Sequence, residues 1–251
     1  AYTGKLTYPR RYEHHAVLEY PPVDHPHRTD RSGLTHMMAN NETGEIFDIH
    51  SIRRNAHNAL FACDATAAVG QIPVDFKALG VDYLSFGAHK FGGISGIGCL
   101  IVKKDTPLIS MIRGGGQEWG KRGGTESVAL ACAMAAALHE RTNKMLIGMK
   151  QIALCRDLLI TNLFRFVPDT YVNGPYTPGD VLLRLPGNAN LSFLGVESQA
   201  LVMALSAEGV YASSGSACTS GEADGSYVLR ALGYPASRAR SAVRFTLPYT
   251  V

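Results

Sequence analysis

At 251 residues the chain can form one large domain or one and a half of ordinary size, and its 46% hydrophobic and 18% charged residues make a globular composition able to bury a sizeable core. A net charge of +3, with Lys and Arg scattered rather than interleaved with aromatics, argues against nucleic acid as a partner. No apolar run reaches the ~18–20 residues that a membrane helix needs, so no membrane partner is expected either.

Residues 1 to about 36 are rich in Pro, His, Tyr and charge and show little periodicity, and alone they bury too little to offset their ordering entropy. The start, AYTGKLTYPRRY, lacks the apolar core of a signal peptide. From His36 short apolar runs alternate with Gly- and Asp-bearing turns. ALFACD, VDYLSF and GIGCLIV read as buried strands of an α/β sheet, with a helix expected over Ile49 to Leu60. A long helical region is predicted from Glu126 to Phe164, with Thr125 as its N-cap.

VNGPYTPGD then makes a natural boundary, dividing a larger domain over 1–140 from a smaller α/β domain over 141–251. In the latter NLSF reads as a strand, ESQALVMALSAEG as a helix ended by Gly209, and VYASS as a strand. SYVLRALG reads as a short helix capped by Ser226 and stopped by Gly233. In SAVRFTL, strict alternation puts Val243, Phe245 and Leu247 on one face, and Arg244 on the other with Ala242 and Thr246.

The five cysteines form no CxxC pair, which argues against zinc and against a disulfide framework and makes a reducing compartment the default. Cys63, Cys99, Cys132 and Cys155 lie in apolar runs and are expected to act as small buried hydrophobes. Cys218 instead lies in SSGSACTSGEADGS, a stretch of small and polar residues expected to be an exposed, mobile loop.

Three further features bear on chemistry. Lys90 follows an apolar strand and precedes a glycine-rich turn, a place where a lysine is expected to be partly desolvated and suited to Schiff-base chemistry. Asp64 ends the preceding strand, where a carboxylate can partner a pyridinium nitrogen. RGGGQEWGKRGGTES offers backbone N–H groups and the Thr125 hydroxyl to an anion such as phosphate. Each has a common structural reading when taken alone, as a surface lysine, a strand-end turn residue or an ordinary glycine loop.

In order along the chain, EHHAVLE, MMANNETGEI, FACDATAAVGQIPVDFKALGVDYLSFGAHK, GGGQEWGKRGGTES, NLSF, SSGSACTS, SYVLRALG and SAVRFTL resemble the cysteine desulfurases of the class-V aminotransferase family, in the group serving iron–sulfur assembly. The resemblance implies the aspartate-aminotransferase-like fold (fold type I) of pyridoxal-phosphate enzymes. That fold has a mixed, mainly parallel sheet with helices on both faces plus a smaller α/β domain, here with its N-terminal part missing or shortened. It also implies pyridoxal 5'-phosphate as cofactor, a homodimer, and a cytoplasmic or organellar-matrix location. Lys90 is similar to the lysine that joins covalently to the cofactor, Asp64 to the partner of its ring nitrogen, and His14 to the histidine stacked on the ring. Asn41 resembles the asparagine near the ring oxygen and substrate carboxylate, His89 a phosphate ligand, and Thr125 a phosphate contact that reaches in from the other subunit. Arg244 is similar to the arginine that clamps the carboxylate of L-cysteine, and Cys218 to the nucleophile that keeps the sulfur as a persulfide for an acceptor or scaffold protein.

The chain departs from that pattern where a glutamine gives way to Ala67 and a phosphate-binding serine to Gly87. The family's Ser-Gly-Ala-Thr-Glu segment and its C-terminal helices have no counterpart, which implies either a reduced, degenerate protein or, the favoured expectation, a piece of a longer molecule. Rival expectations are a selenocysteine lyase, or a cofactor-free scaffold that binds sulfur-transfer partners.

Overall fold

A computed structural model describes residues 10–18, 33–56, 59–215 and 225–248. They divide into two compact units. The first holds His15–Met38 and Asp48–Lys144, within the described residues; the second holds Arg11–His14, Ala39–Phe47 and the residues from Met145 onward.

In the first unit a one-turn helix α1 (His15–Leu18) precedes strand β1 (Gly33–Met37), helix α2 (Ile49–Asn55) and strand β2 (Leu60–Asp64). Helix α3 (Phe76–Leu79) leads to β3 (Tyr83–Gly87), and β4 (Gly98–Val102) follows. The sheet order is β1-β2-β3-β4, the first two pairings parallel and the last antiparallel, so the sheet is mixed and mainly parallel, as the fold implied. Parallel strands with both faces covered have no reason to alternate, and Leu60–Cys63 are buried without a break. Leu60, Ala62 and Tyr83 form a core with Val102 and Leu108.

Two sequence expectations change here. GLTHM, at the end of the Pro- and charge-rich stretch that shows little periodicity, is a strand because it pairs with β2. The helix expected over Ile49 to Leu60 stops at Asn55, since Leu60 is already committed to β2. Asp48 starts that helix, its side chain accepting from the Ser51 N–H at 3.0 Å.

Helix α4 (Val128–Phe166) runs for 39 residues, contributing to the first unit up to Lys144 and to the second from Met145. It begins three residues beyond Thr125, which is therefore not its cap. In the second unit come β5 (Thr170–Val172), β6 (Asn188–Phe193), α5 (Ser198–Ala207) and β7 (Ser213–Ser214). Helices α6 (Tyr227–Ala231) and α7 (Ala236–Arg240) and strand β8 (Ala242–Thr246) complete it. This sheet is antiparallel throughout, in the order β5-β6-β8-β7.

Its core joins Ile160 of α4 to Ala189, Leu191, Phe193 and Val243, with Phe245 packed against it, as the alternation in SAVRFTL predicts. The opposite face of β8 is not left to solvent, because Ala242 packs on Leu229 and Ala239 of α6 and α7. Ser226 caps α6 by accepting from Leu229 N–H at 3.1 Å, and Gly209 and Gly233 end their helices at φ +79° and +86°. Of the four cysteines expected to be buried, only Cys63 is; Cys99 and Cys155 are half-buried and Cys132, on α4, is exposed. No helix among the described residues is long and apolar enough to cross a membrane.

Candidate active site

The first unit gathers three of the sequence-derived residues at one sheet edge. Because β2 and β3 are parallel, with Asp64 opposite Ser85, both strands deliver the chain to the same carboxyl-end edge, where open α/β sheets collect ligands. Asp64 lies just past the buried stretch, and its Oδ1 accepts the Thr66 N–H at 2.9 Å. The chain leaves β3 through Gly87 into a single 3-10 turn, Ala88–Lys90.

That turn faces His89 and Lys90 outward, and both are exposed. The desolvation expected of Lys90 is therefore absent, because the turn lifts the side chain clear of the strand end. The backbone beneath it is fixed from several sides. Gln71 Nε2 donates to the Lys90 carbonyl at 3.1 Å, and Arg141 Nε, from α4, donates to the Phe91 carbonyl at 3.1 Å. Phe91 is buried against Gly70, a position at φ +75° with no room for a side chain. The His89 ring lies over Gly87, where an added Cβ would come within 3.1 Å of Nδ1 and Cε1.

Within the glycine-rich segment, two of the N–H groups that could meet an anion bond locally. Gly123 N–H donates to the Ile112 carbonyl at 2.7 Å and Gly124 N–H to Gln117 Oε1 at 3.3 Å, so these donors are used within the loop. Thr125 is exposed. Glu118 and Trp119 hold left-handed backbone at φ 49° and 54°, a cost of about 1 kcal/mol or more each, and Trp119 is 89% exposed.

In the second unit Asn41 occupies a tight turn. Asn40 Oδ1 accepts from the N–H groups of Glu42 and Thr43, both at 2.9 Å, and Gly44 N–H returns to the Asn40 carbonyl at 3.0 Å. Arg244 Nη1 donates to the Asn41 carbonyl at 2.6 Å, so the turn and β8 meet at the arginine. Asn41 Oδ1 is buried and has no hydrogen-bond partner among the described residues. His14 is half-buried in a segment tied to the same turn, with Asn40 Nδ2 donating to the Tyr12 carbonyl at 3.2 Å and Tyr227 Oη to the Glu13 carbonyl at 2.8 Å. Cys218 lies outside the described residues; Gly215 and Gly225, on either side, do not.

A buried polar network that the sequence reading missed supports this turn. The Glu42 carbonyl accepts Nδ2 of both Asn188 and Asn190 at 3.0 Å. Asn188 Oδ1 accepts from Arg184 Nη1 at 3.2 Å, and Asn190 Oδ1 from Asn173 Nδ2 at 2.8 Å. Arg238 Nη2 reaches Asn173 Oδ1 at 2.6 Å. Burial, and then the neighbouring Arg156, lower the Arg184 guanidinium to about 10, which leaves it charged at neutral pH. The one sequence signal was the polar alternation in NANLSF, which normally marks a solvent face.

Among the described residues no group of three or more His, Cys, Asp or Glu side chains could hold a metal ion. A family model described as aminotransferase class-V matches residues 17–247. A cysteine desulfurase of Klebsiella pneumoniae is 42% identical over 213 residues, which cover 84% of this chain and 52% of that protein. The cysteine desulfurase IscS of Dictyoglomus turgidum is 37% identical over 270 residues, 97% of this chain and 67% of that one. The chain thus spans about half the length of the Klebsiella relative. Among solved structures, a NifS-like protein superimposes with a TM-score of 0.83 at 26% identity, covering 98% of this chain and 70% of the other. A NifS-like protein from Rickettsia africae gives 0.82, also at 26% identity, covering 100% and 72%.

Proposed function

Since the chain belongs to the class-V aminotransferase family, we propose that it carries the working residues of a pyridoxal-phosphate-dependent cysteine desulfurase. The observation that carries this reading is the placement of Asp64 and Lys90 at one edge of adjacent parallel strands, alongside similarity to proteins named for that activity.

The residues present fit the cofactor. Asp64 keeps a carboxylate oxygen for a ring N–H, and the Lys90 ammonium makes no ion pair among the described residues. The buried Asn41 Oδ1 without a donor is what a polar ligand group would satisfy. Asp64, His89 and Lys90 would hold the cofactor, joined by Thr125 of a partner subunit in a homodimer; His14 and Asn41 carry over as cofactor contacts from the family. Gly87 and Ala67 withhold two of the family's contacts and weaken this grip. When bound, the cofactor withdraws electrons from the α-carbon of the substrate.

Arg244 holds the carboxylate of L-cysteine and Asn41 orients it, while His14 moves a proton. The Cys218 thiolate attacks the substrate sulfur, so an S–S bond forms as the substrate C–S bond breaks, and the carbon takes up a proton to leave as L-alanine. The persulfide on Cys218 then serves an acceptor protein. A cytoplasmic or matrix setting agrees with a free thiol.

The test combines purified protein, pyridoxal phosphate and L-cysteine, measuring alanine release and the mass of the Cys218 peptide. Alanine with one added sulfur atom on Cys218, both lost in Lys90→Ala, is the expected result. A colourless protein that releases no alanine overturns the reading in favour of a cofactor-free scaffold. Turnover of selenocysteine alone would make it a selenocysteine lyase.

A further inference from the structure

Glu42 follows Asn41 in the turn that Arg244 binds and contacts Ser226 beyond the Cys218 segment, yet none of the expected roles includes it. It is fully buried in the turn beside Asn41. Its carbonyl receives the two asparagine amides of β6, Asn188 and Asn190, each at 3.0 Å. The fit on that side is tight: Gly44, at φ +74°, has the Asn188 side chain where its own Cβ would be.

The Glu42 carboxylate faces the other way, toward the two ends of the segment that carries Cys218. Oε2 accepts a short hydrogen bond from Ser226 Oγ, and Ser226 is the N-cap of α6, just past that segment. At the near end, a Cβ on Gly215 would lie 3.6 Å from Glu42 Oε2 and 3.6 Å from Ser226 Cβ. The two ends are thus drawn together against one carboxylate. Gly225 is pinned as well, its backbone pressed on Ala239, whose carbonyl accepts the Ser226 N–H at 3.1 Å.

We propose that Glu42 is a positioning residue that ties the substrate-holding turn of Asn41 and Arg244 to the base of the Cys218 segment. Its main chain is held by Asn188 and Asn190 and sets Asn41, whose carbonyl receives Arg244. Its side chain sets the distance between Gly215 and Ser226, and so where the chain bearing Cys218 departs and returns. The two tasks use different atoms and are separable by substitution. This inference rests on the desulfurase reading.

The test compares Glu42→Ala, Glu42→Gln, Ser226→Ala and Asn190→Ala in the protein reconstituted with pyridoxal phosphate, with a parallel measurement on protein without cofactor. Removing a buried hydrogen bond so that its partner is left unsatisfied changes an equilibrium by about tenfold. Glu42→Ala should slow single-turnover persulfide formation on Cys218 about tenfold while KM for L-cysteine stays within about twofold. Ser226→Ala should do the same, and Glu42→Gln, which keeps an acceptor for the serine hydroxyl, should recover most of the rate. Asn190→Ala should instead raise KM for L-cysteine by about tenfold.

Without cofactor, Glu42→Ala should speed amide hydrogen exchange about tenfold in peptides spanning 211–215 and 225–230, leaving 60–64 and 83–87 unchanged. Equal loss in kcat and KM, or unchanged exchange at both segment ends, overturns the proposal. If the exchange contrast holds but the wild-type protein never modifies Cys218, the desulfurase reading fails and the coupling of substrate turn to sulfur carrier fails with it. If the wild-type protein is active but Ser226→Ala and Glu42→Ala are indistinguishable from it, the role of Glu42 alone is overturned.

Discussion

At Arg244 the guanidinium already gives Nη1 to the Asn41 carbonyl, so its fork is oriented before any carboxylate arrives. A lysine there keeps the charge but can neither hold the turn nor grip a carboxylate with two parallel bonds. Arg244→Lys is therefore expected to raise KM for L-cysteine by about tenfold or more, read from steady-state alanine release, with a smaller effect on kcat. Gly87 offers the opposite experiment, a gain. Its φ of −114° suits any residue, and the only obstruction to a Cβ is the exposed His89 ring, which can swing aside. Gly87→Ser should return a hydroxyl to the strand end and tighten pyridoxal-phosphate binding by about tenfold, measured by absorbance titration. No tightening would mean that His89 cannot yield, or that phosphate is held elsewhere.

The elements divide by how far their physics is local. Helix α6 was legible because Ser226 and Gly233 bracket it chemically, and β2 and β3 because unbroken apolar runs between turn residues fit buried parallel strands. Strand β1 and helix α7 were not, since GLTHM and ASRAR carry weak signals and owe their form to neighbours. β6 misled in a more instructive way. Asn188, Asn190 and Ser192 alternate with Ala189, Leu191 and Phe193 as if one face met water, but that face is sealed onto other polar side chains and the turn at Glu42. Among the site residues, Asp64 and Lys90 could be placed at strand ends from sequence, while the pairing of Arg244 with Asn41 spans 203 positions and had no local trace. The turn itself gives a stability test. Gly44→Ala must place a Cβ into Asn188 at a φ of +74°, and a loss of about 2–3 kcal/mol is expected from urea unfolding, with the Gly80→Ala change, where nothing crowds closer than 3.9 Å, costing about 1 kcal/mol.

At the scale of the molecule, acid should weaken the fold through His36 on β1. The residue is buried, and its Nδ1 donates to the Met37 carbonyl at 2.8 Å in a neutral ring. Burial is the main influence and lowers its pKa from 6.5. The unfolded chain therefore takes up the proton first, so stability is complete above pH 6.5 and declines as pH falls below it toward the lowered value of the folded state. Urea midpoints compared at about pH 7.5 and 5.5 should show this decline, and His36→Gln should make it shallower. A slope unchanged by the substitution would assign the acid sensitivity to other groups. The bonds between Glu42 and β6 have one more consequence, in time rather than energy. The partners are 146 and 148 positions apart, and the ribosome adds roughly 5–20 residues each second. For on the order of ten seconds after Asn41 leaves the tunnel, its turn has only its own local hydrogen bonds and no strand to brace it. The turn is thus left without the strand that steadies it until most of the chain has been made.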